Sequence, residues 1–233
     1  MANYGVGAYI MNVGKQSCKT TYHGLDGLRG VAAVLVVIYH SALLFGHQLA
    51  PSGYLAVDLF FLLSGFVISH SYDNRLGSGL SVGRFAVIRF VRLWPLYTLG
   101  LLIGVSYEIL LLLTSNDFAM PVGSITLCLS LSVFLIPTLF HTRFDALYPF
   151  NGPSWSVFFE FIVNVIYALS FRYLTRRILL TLVLISAIWL MINAVEFGSV
   201  DWGHKTNTIL GGLVRTIFFF QLECFCTDQI GVT

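Results

Sequence analysis

The sequence predicts an all-α polytopic transmembrane helical bundle with about six or seven apolar segments and no soluble domain. Three observations predict it. Of the 233 residues, 57% are hydrophobic and only 10% are charged, too few for the mixed charged surface that keeps a soluble domain in solution. Mean hydropathy is +0.82. Apolar runs near twenty residues recur along the chain, each long enough to cross about 30 Å of hydrocarbon as a helix. A backbone in lipid must satisfy its own hydrogen bonds, which leaves helices or closed barrels. The runs are continuous rather than alternating, which argues against strands.

Seven segments follow in order: Leu28–Phe45, Gly53–Ser71, Leu93–Leu113, Val122–Phe140, Trp155–Tyr173, Ile178–Val195 and Thr208–Cys226. The expected organisation is a cytoplasmic N-terminal tail over 1–22, one membrane domain over 23–226 and a short tail over 227–233. Met1–Thr21 has no apolar core behind a basic start, so the first apolar segment reads as an uncleaved signal-anchor. Cys18, Cys128, Cys224 and Cys226 have no framework spacing and read as small apolar residues, with no metal site.

Orientation follows the Lys and Arg positions. Lys15, Lys19 and Arg29 precede or open the first segment. Arg75, Arg84, Arg89 and Arg92 lie between the second and third, and Arg172, Arg176 and Arg177 between the fifth and sixth. With the N-terminus inside, the last cluster falls inside only if one intervening segment does not cross. Val122–Phe140, with Pro137 and several Ser and Thr, is the re-entrant candidate; a plain span that breaks the charge rule is the alternative.

Charged residues at membrane depth cost about 2.5–3.5 kcal/mol on insertion scales, which makes each a functional candidate. Arg29 and His40 are eleven residues apart, three helical turns plus about 20°, so they share a face about 16 Å apart along the axis. Ala33 and Val36 lie between them as a smooth lane. Asp58 opens the second segment, where Ser64-Gly65 allows close approach of another helix. Arg89 and Arg92 are neighbours at i,i+3 on a short basic amphipathic helix that meets the next span at Pro95. Two adjacent guanidiniums suit phosphate, or anionic headgroups. Ser156, Glu160, Asn164 and Tyr167 make a polar stripe that must face protein or a cavity. Arg215 is a charge partner available to the acids.

At these residues the sequence resembles the membrane acyltransferase-3 family, bacterial O-acyltransferases of cell-surface polysaccharides. The resemblance rests on Asp26-Gly27-Leu28-Arg29-Gly30 with Arg29-x10-His40, on Val57–Phe61 with Ser64–Phe66, on Arg89, Arg92 and Pro95, and on Trp155-Ser156-x-x-x-Glu160. It implies acyl transfer, usually of acetyl, from acyl-CoA (acetyl-CoA) as donor substrate to a sugar hydroxyl of a cell-surface or exported glycan. No cofactor, metal or nucleic acid is implied. The expected location is the bacterial inner membrane, with the N-terminus cytoplasmic.

The expected catalytic residues are His40, Glu160 and Asp58. A sugar hydroxyl is a weak nucleophile, so His40 takes its proton or carries the acyl group briefly. Glu160 or Asp58 orients the imidazole. Arg29, Arg89 and Arg92 hold the donor's phosphates. Asp26, Ser64, Trp155, Ser156 and Asn164 support them. Members of this family usually have about ten spans, so a truncated chain is expected, and with it the alternative of a non-catalytic member. A transporter or channel subunit is the reading from a different class.

Overall fold

A computed structural model describes residues 23–140 and 142–230. The N-terminal tail expected over 1–22 lies outside the described residues. The helices are α1 (His23–His40), α2 (Ala42–Phe45), α3 (Ala56–Gly77), α4 (Val82–Leu113), α5 (Val122–Val133), α6 (Ser154–Ser170), α7 (Arg176–Phe197) and α8 (Ile209–Ile230). Short 3-10 turns precede α3, α6 and α8 and follow α6. α8 runs four residues past Cys226, where the sequence places the end of the membrane domain.

Among the described residues, five helices are long and apolar enough to cross a bilayer: those within Gly53–Gly77, Val82–Leu113, Ser154–Tyr173, Arg176–Phe197 and Thr206–Thr227. α1 adds 18 residues, about 27 Å of helix. Their outward faces carry Val91, Leu96, Leu113, Ile185, Met191 and Val195, all exposed apolar side chains. That face suits acyl chains. The chain is an integral membrane helical bundle.

The first expected segment is not one helix. It breaks after His40, and α2 ends at Gly46, whose φ of 72° closes the turn without a Cβ penalty. The expected boundary at Pro95 is also absent. α4 is continuous through Pro95 for 32 residues, about 48 Å, so the basic helix and the span are one element. Ser81 caps it, accepting the Arg84 N–H.

α3 and α8 form the centre of the bundle. They run parallel: Asp58 meets Arg215 near their starts and Gly65 meets Phe220 further along. A Cβ on Gly65 would lie 2.4 Å from the Phe220 carbonyl oxygen, so this position needs glycine for the backbones to approach. α4 and α6 are antiparallel, with Arg89 beside Glu160 at one end and Gly104 beside Phe150 at the other. α1 packs on α3, and α7 packs on α8.

These directions place Arg75, Arg84, Arg172, Arg176 and Arg177 at one end, hereafter the basic end. The opposite end is the far end. α4 leaves toward the far end and α6 starts there, so the chain between them begins and finishes on the same side. α5 fits that path: its 12 residues reach only about 18 Å.

The rest of the fourth expected segment is not helical. Residues 134–140 and 142–153 form an irregular plug whose Leu135, Thr138, Leu147, Tyr148 and Phe150 are buried. Thr138 N–H bonds the Leu147 carbonyl and Leu147 N–H bonds the His204 carbonyl, at 2.9 and 3.0 Å. Tyr148 and Tyr97 donate to the Leu135 and Ser132 carbonyls. Protein groups thus replace water as backbone partners, which is what lets irregular chain lie inside a membrane bundle.

Candidate functional site

A cavity of about 140 Å³ opens at the far end. Val36, Tyr39 and His40 of α1 form one wall, and Gly53, Tyr54 and Val57 at the start of α3 form the next. Gly152, Pro153 and Trp155 come from the plug and the first turn of α6, and Asp201 and His204 from the loop between α7 and α8. His40 is the last residue of α1 and is exposed at the mouth.

One buried arginine contacts two of the lining residues, Tyr54 and Asp201. Arg215 on α8 grips Asp58 with two hydrogen bonds, Nε to Oδ1 at 2.6 Å and Nη2 to Oδ2 at 3.0 Å. Nη2 also bonds the Tyr54 carbonyl at 2.9 Å. Nη1 lies 3.8 Å from Asp201 Oδ1. Arg215 is 1% exposed and Asp58 5%, so the pair is desolvated, and bidentate geometry compensates the desolvation. Asp201 Oδ2 in turn accepts the Tyr39 hydroxyl at 2.8 Å. A polar chain therefore links α3, α8, the α7–α8 loop and α1 at His40's neighbour.

That loop is tightly seated. A Cβ on Gly203, whose φ is 113°, would lie 2.6 Å from the Trp155 ring and 2.7 Å from the Gly212 Cα. Trp202 is buried and makes edge contacts with Trp189 and Phe197. Lys205 forms an antiparallel bridge with Ala146 of the plug. Asp201 and His204 are consequently fixed against the cavity. Burial pushes the His204 imidazole below the usual histidine range, with Asp201 opposing the shift.

The second polar centre lies between α3, α4 and α6. Arg89 Nη2 bonds Glu160 Oε1 at 3.0 Å, and Ser64 Oγ donates to the same oxygen at 2.7 Å. Asn164 Oδ1 accepts from Ser64 at 3.5 Å. Arg89 is 2% exposed, and its Nε and Nη1 have no hydrogen-bond partner among the described residues. Arg29 and Arg92 lie near enough to act on it electrostatically. Arg29 is held by Asp26 of its own helix at 3.1 Å. Lower on the stripe, Tyr167 donates to Asp73 at 2.9 Å.

The expected site residues thus divide into two groups. Arg29, Arg89 and Arg92 share one neighbourhood toward the basic end, with Ser64, Glu160 and Asn164 beside them. His40 and Trp155 line the cavity at the far end, and Asp58 lies outside its lining, held by Arg215. The two acids offered as His40's partner are engaged elsewhere: Asp58 by Arg215 and Glu160 by Arg89 and Ser64. Arg215 pairs with Asp58 and Asp201, not with the α6 stripe. Ser156 bonds the Pro153 carbonyl, at 2.9 Å, and Asp26 is a surface partner of Arg29. Tyr39, Tyr54, Asp201 and His204 were not singled out in the sequence. The signal for the last two was a pair of polar residues in a short loop flanking a Trp-Gly, Asp201-Trp202-Gly203-His204.

The acyltransferase-3 family model, described as an acyltransferase domain, matches residues 22–222. The chain belongs to that family. This acyltransferase is 37% identical over 181 residues to "Protein 2 in picA locus" of Rhizobium radiobacter, covering 74% of its own length and 94% of the relative. It is 31% identical over 87 residues to the peptidoglycan O-acetyltransferase OatA of Listeria monocytogenes, covering 36% of this chain and 13% of that one. A putative peptidoglycan O-acetyltransferase of Bacillus subtilis, YrhL, is 38% identical over 85 residues, which are 33% of this chain and 12% of that protein. The match therefore spans about an eighth of the two O-acetyltransferases. No solved structure matches the chain.

Proposed function

We propose that this membrane acyltransferase moves an acyl group, in the simplest case acetyl, from acyl-CoA to a hydroxyl of a cell-surface or exported glycan. It does so in a bacterial inner membrane, with the basic end and the N-terminus at the cytoplasm. The observation that carries the reading is the separation of two polar centres along α1. Arg29 stands in an arginine cluster toward the basic end, and His40 stands at a cavity at the far end. A donor with phosphates and a long arm fits that division: guanidiniums hold the anion and the thioester reaches up. The O-acetyltransferase names of two relatives support an oxygen acceptor.

In this scheme His40 takes the proton of the acceptor hydroxyl as oxygen attacks the acyl carbon. Arg29 and Arg92 face the phosphates. Arg89, buried with two nitrogens unbonded, offers hydrogen bonds to a donor group that enters between α3, α4 and α6. Glu160 and Ser64 hold that guanidinium in place. Asp58 acts at one remove, by fixing Arg215 beside Asp201.

The test is acyl transfer in proteoliposomes from labelled acetyl-CoA to a membrane glycan fraction, with His40→Ala alongside. Ester product from the wild type and loss of at least about 10²-fold in the variant is the expected result. No ester from the wild type with any glycan fraction overturns the reading. Full activity in His40→Ala removes His40 from the chemistry.

A further inference from the structure

Ester formation from a thioester has two proton problems. The acceptor hydroxyl must lose a proton, and the departing sulfur must gain one. A single base meets the first; the second calls for an acid in the same space. The cavity holds a second imidazole. His204 lines it from the α7–α8 loop, opposite the α1 wall that carries His40. Both rings line the one cavity. Asp201 acts electrostatically on both. Neither imidazole has a side-chain hydrogen-bond partner among the described residues, so the ring nitrogens are not committed to structure. The seating of Gly203 against Trp155 and Gly212 fixes where His204 stands.

We propose that His40 and His204 form a catalytic pair holding one proton between them, with His204 delivering it to the leaving group. The inference rests on the reading above of a thioester-dependent transferase. His40, neutral, takes the hydroxyl proton as the oxygen–acyl carbon bond forms. The carbon–sulfur bond breaks and its electron pair leaves on sulfur. His204, protonated, gives its proton to that sulfur. One proton has moved from oxygen to sulfur, His40 is now charged and His204 neutral. A proton passed between the two rings restores the starting state.

The groups facing His204 make its protonated form a strong acid: burial, Lys205, Arg215 and His40 all disfavour the imidazolium, and Asp201 opposes them. Asp201 and Lys205 stand on its own loop, His40 and Tyr39 on α1, Tyr54 before α3, and Arg215 on α8 with Asp58 behind it. Arg215 is committed to Asp58, and the Asp201 carboxylate compensates one imidazolium. A second would meet the repulsion of the first. Burial makes the His204 imidazolium a ready donor.

The experiment compares wild type, His204→Gln and His40→Gln in proteoliposomes with two donors. One is acetyl-CoA. The other is an acetyl thioester of an aryl thiol acidic enough to leave without a proton. The proposal expects His204→Gln to lower kcat with acetyl-CoA by about 10²-fold or more, with KM little changed, and to recover most of the wild-type rate with the aryl donor. His40→Gln is slow with both. The wild-type kcat profile is bell-shaped in pH, and in His204→Gln its alkaline limb disappears. Equal loss with both donors, or a retained alkaline limb, assigns His204 a structural role and overturns the proposal. Wild-type rates in His204→Gln do the same and leave the transferase reading intact. A wild type inactive with acetyl-CoA defeats that reading itself, and the pair with it.

Discussion

Replacing Arg215 by Gln removes the counter-charge of a carboxylate that is 5% exposed. Asp58 then loses both hydrogen bonds, at 2.6 and 3.0 Å, and must stay buried without its counter-charge or take up a proton. The Tyr54 carbonyl loses its donor as well. Removing one partner of a buried ion pair costs about 3–5 kcal/mol, because the other charge stays buried. At about 2–4 °C per kcal/mol for a chain of this size, the melting temperature of the detergent-solubilised protein falls by about 6–20 °C. The companion variant, Arg215→Met with Asp58→Leu, removes both charges and keeps the volume. It regains most of the lost stability, since well-packed apolar replacements of buried pairs are often neutral or stabilising. Thermal unfolding followed by circular dichroism, on the wild type and both variants, makes the comparison. An Arg215→Gln protein as stable as wild type would show that Asp58 is not held charged and dry by Arg215. A double variant no better than the single would show that the pair's charges are not what matters there.

Glu160→Gln leaves Arg89 charged and almost fully buried, and by the same reasoning costs about 3–5 kcal/mol; the melting temperature reads it, and a fall under 2 °C counts against the pairing. Gly104→Ala sets a Cβ 1.7 Å from the Phe150 carbonyl oxygen. Backbone must move, so the plug shifts and stability drops by about 1–3 kcal/mol, detectable as faster proteolysis within 134–153. His204 gives a pH dependence of known sign. Its folded-state value lies below the unfolded one, so the unfolded chain binds the proton first on acidification. The stability this group contributes is whole above the usual histidine value of about 6.5 and is lost as pH falls through it. A melting-temperature series from pH 7.5 to 5 should slope less for His204→Gln than for wild type, and equal slopes would contradict the downward shift that burial imposes on the ring. Single cysteines at exposed Phe144 and Ser115 should label from one side of the membrane and Gly79→Cys from the other; labelling of Phe144→Cys and Gly79→Cys from the same side would refute the path given to α5.

The helices were legible because lipid imposes one requirement at every position, and apolar runs of twenty residues report it directly. Val122–Phe140 was the limit of that signal. Its composition matches a span, yet Leu135 and Thr138 are buried by protein and their backbone partners come from Leu147 and Tyr148. Hydropathy does not separate chain buried in lipid from chain buried in protein. The polar stripe on α6 was readable by periodicity, and Glu160, Asn164 and Tyr167 each reach another helix. Its partners were not, because Arg89, Ser64 and Asp73 come from elements 71 to 96 residues away or more. The cavity was half legible. His40 stood out as a histidine in an apolar helix. Asp201 and His204, in a loop where polar residues are ordinary, carried no such contrast until the loop was seen seated against Trp155.

The Asp58–Arg215 contact also has a history in time. The two residues are 157 positions apart. At about 5–20 residues per second of synthesis, Asp58 waits on the order of ten to thirty seconds for its partner. Through that interval the nascent chain carries a carboxylate in or near the bilayer with nothing to neutralise it. α8 therefore completes a charge pair that the first part of the protein leaves open. A chain halted before Arg215 bears its own mark of incompleteness, an acid in or near the bilayer with no counter-charge.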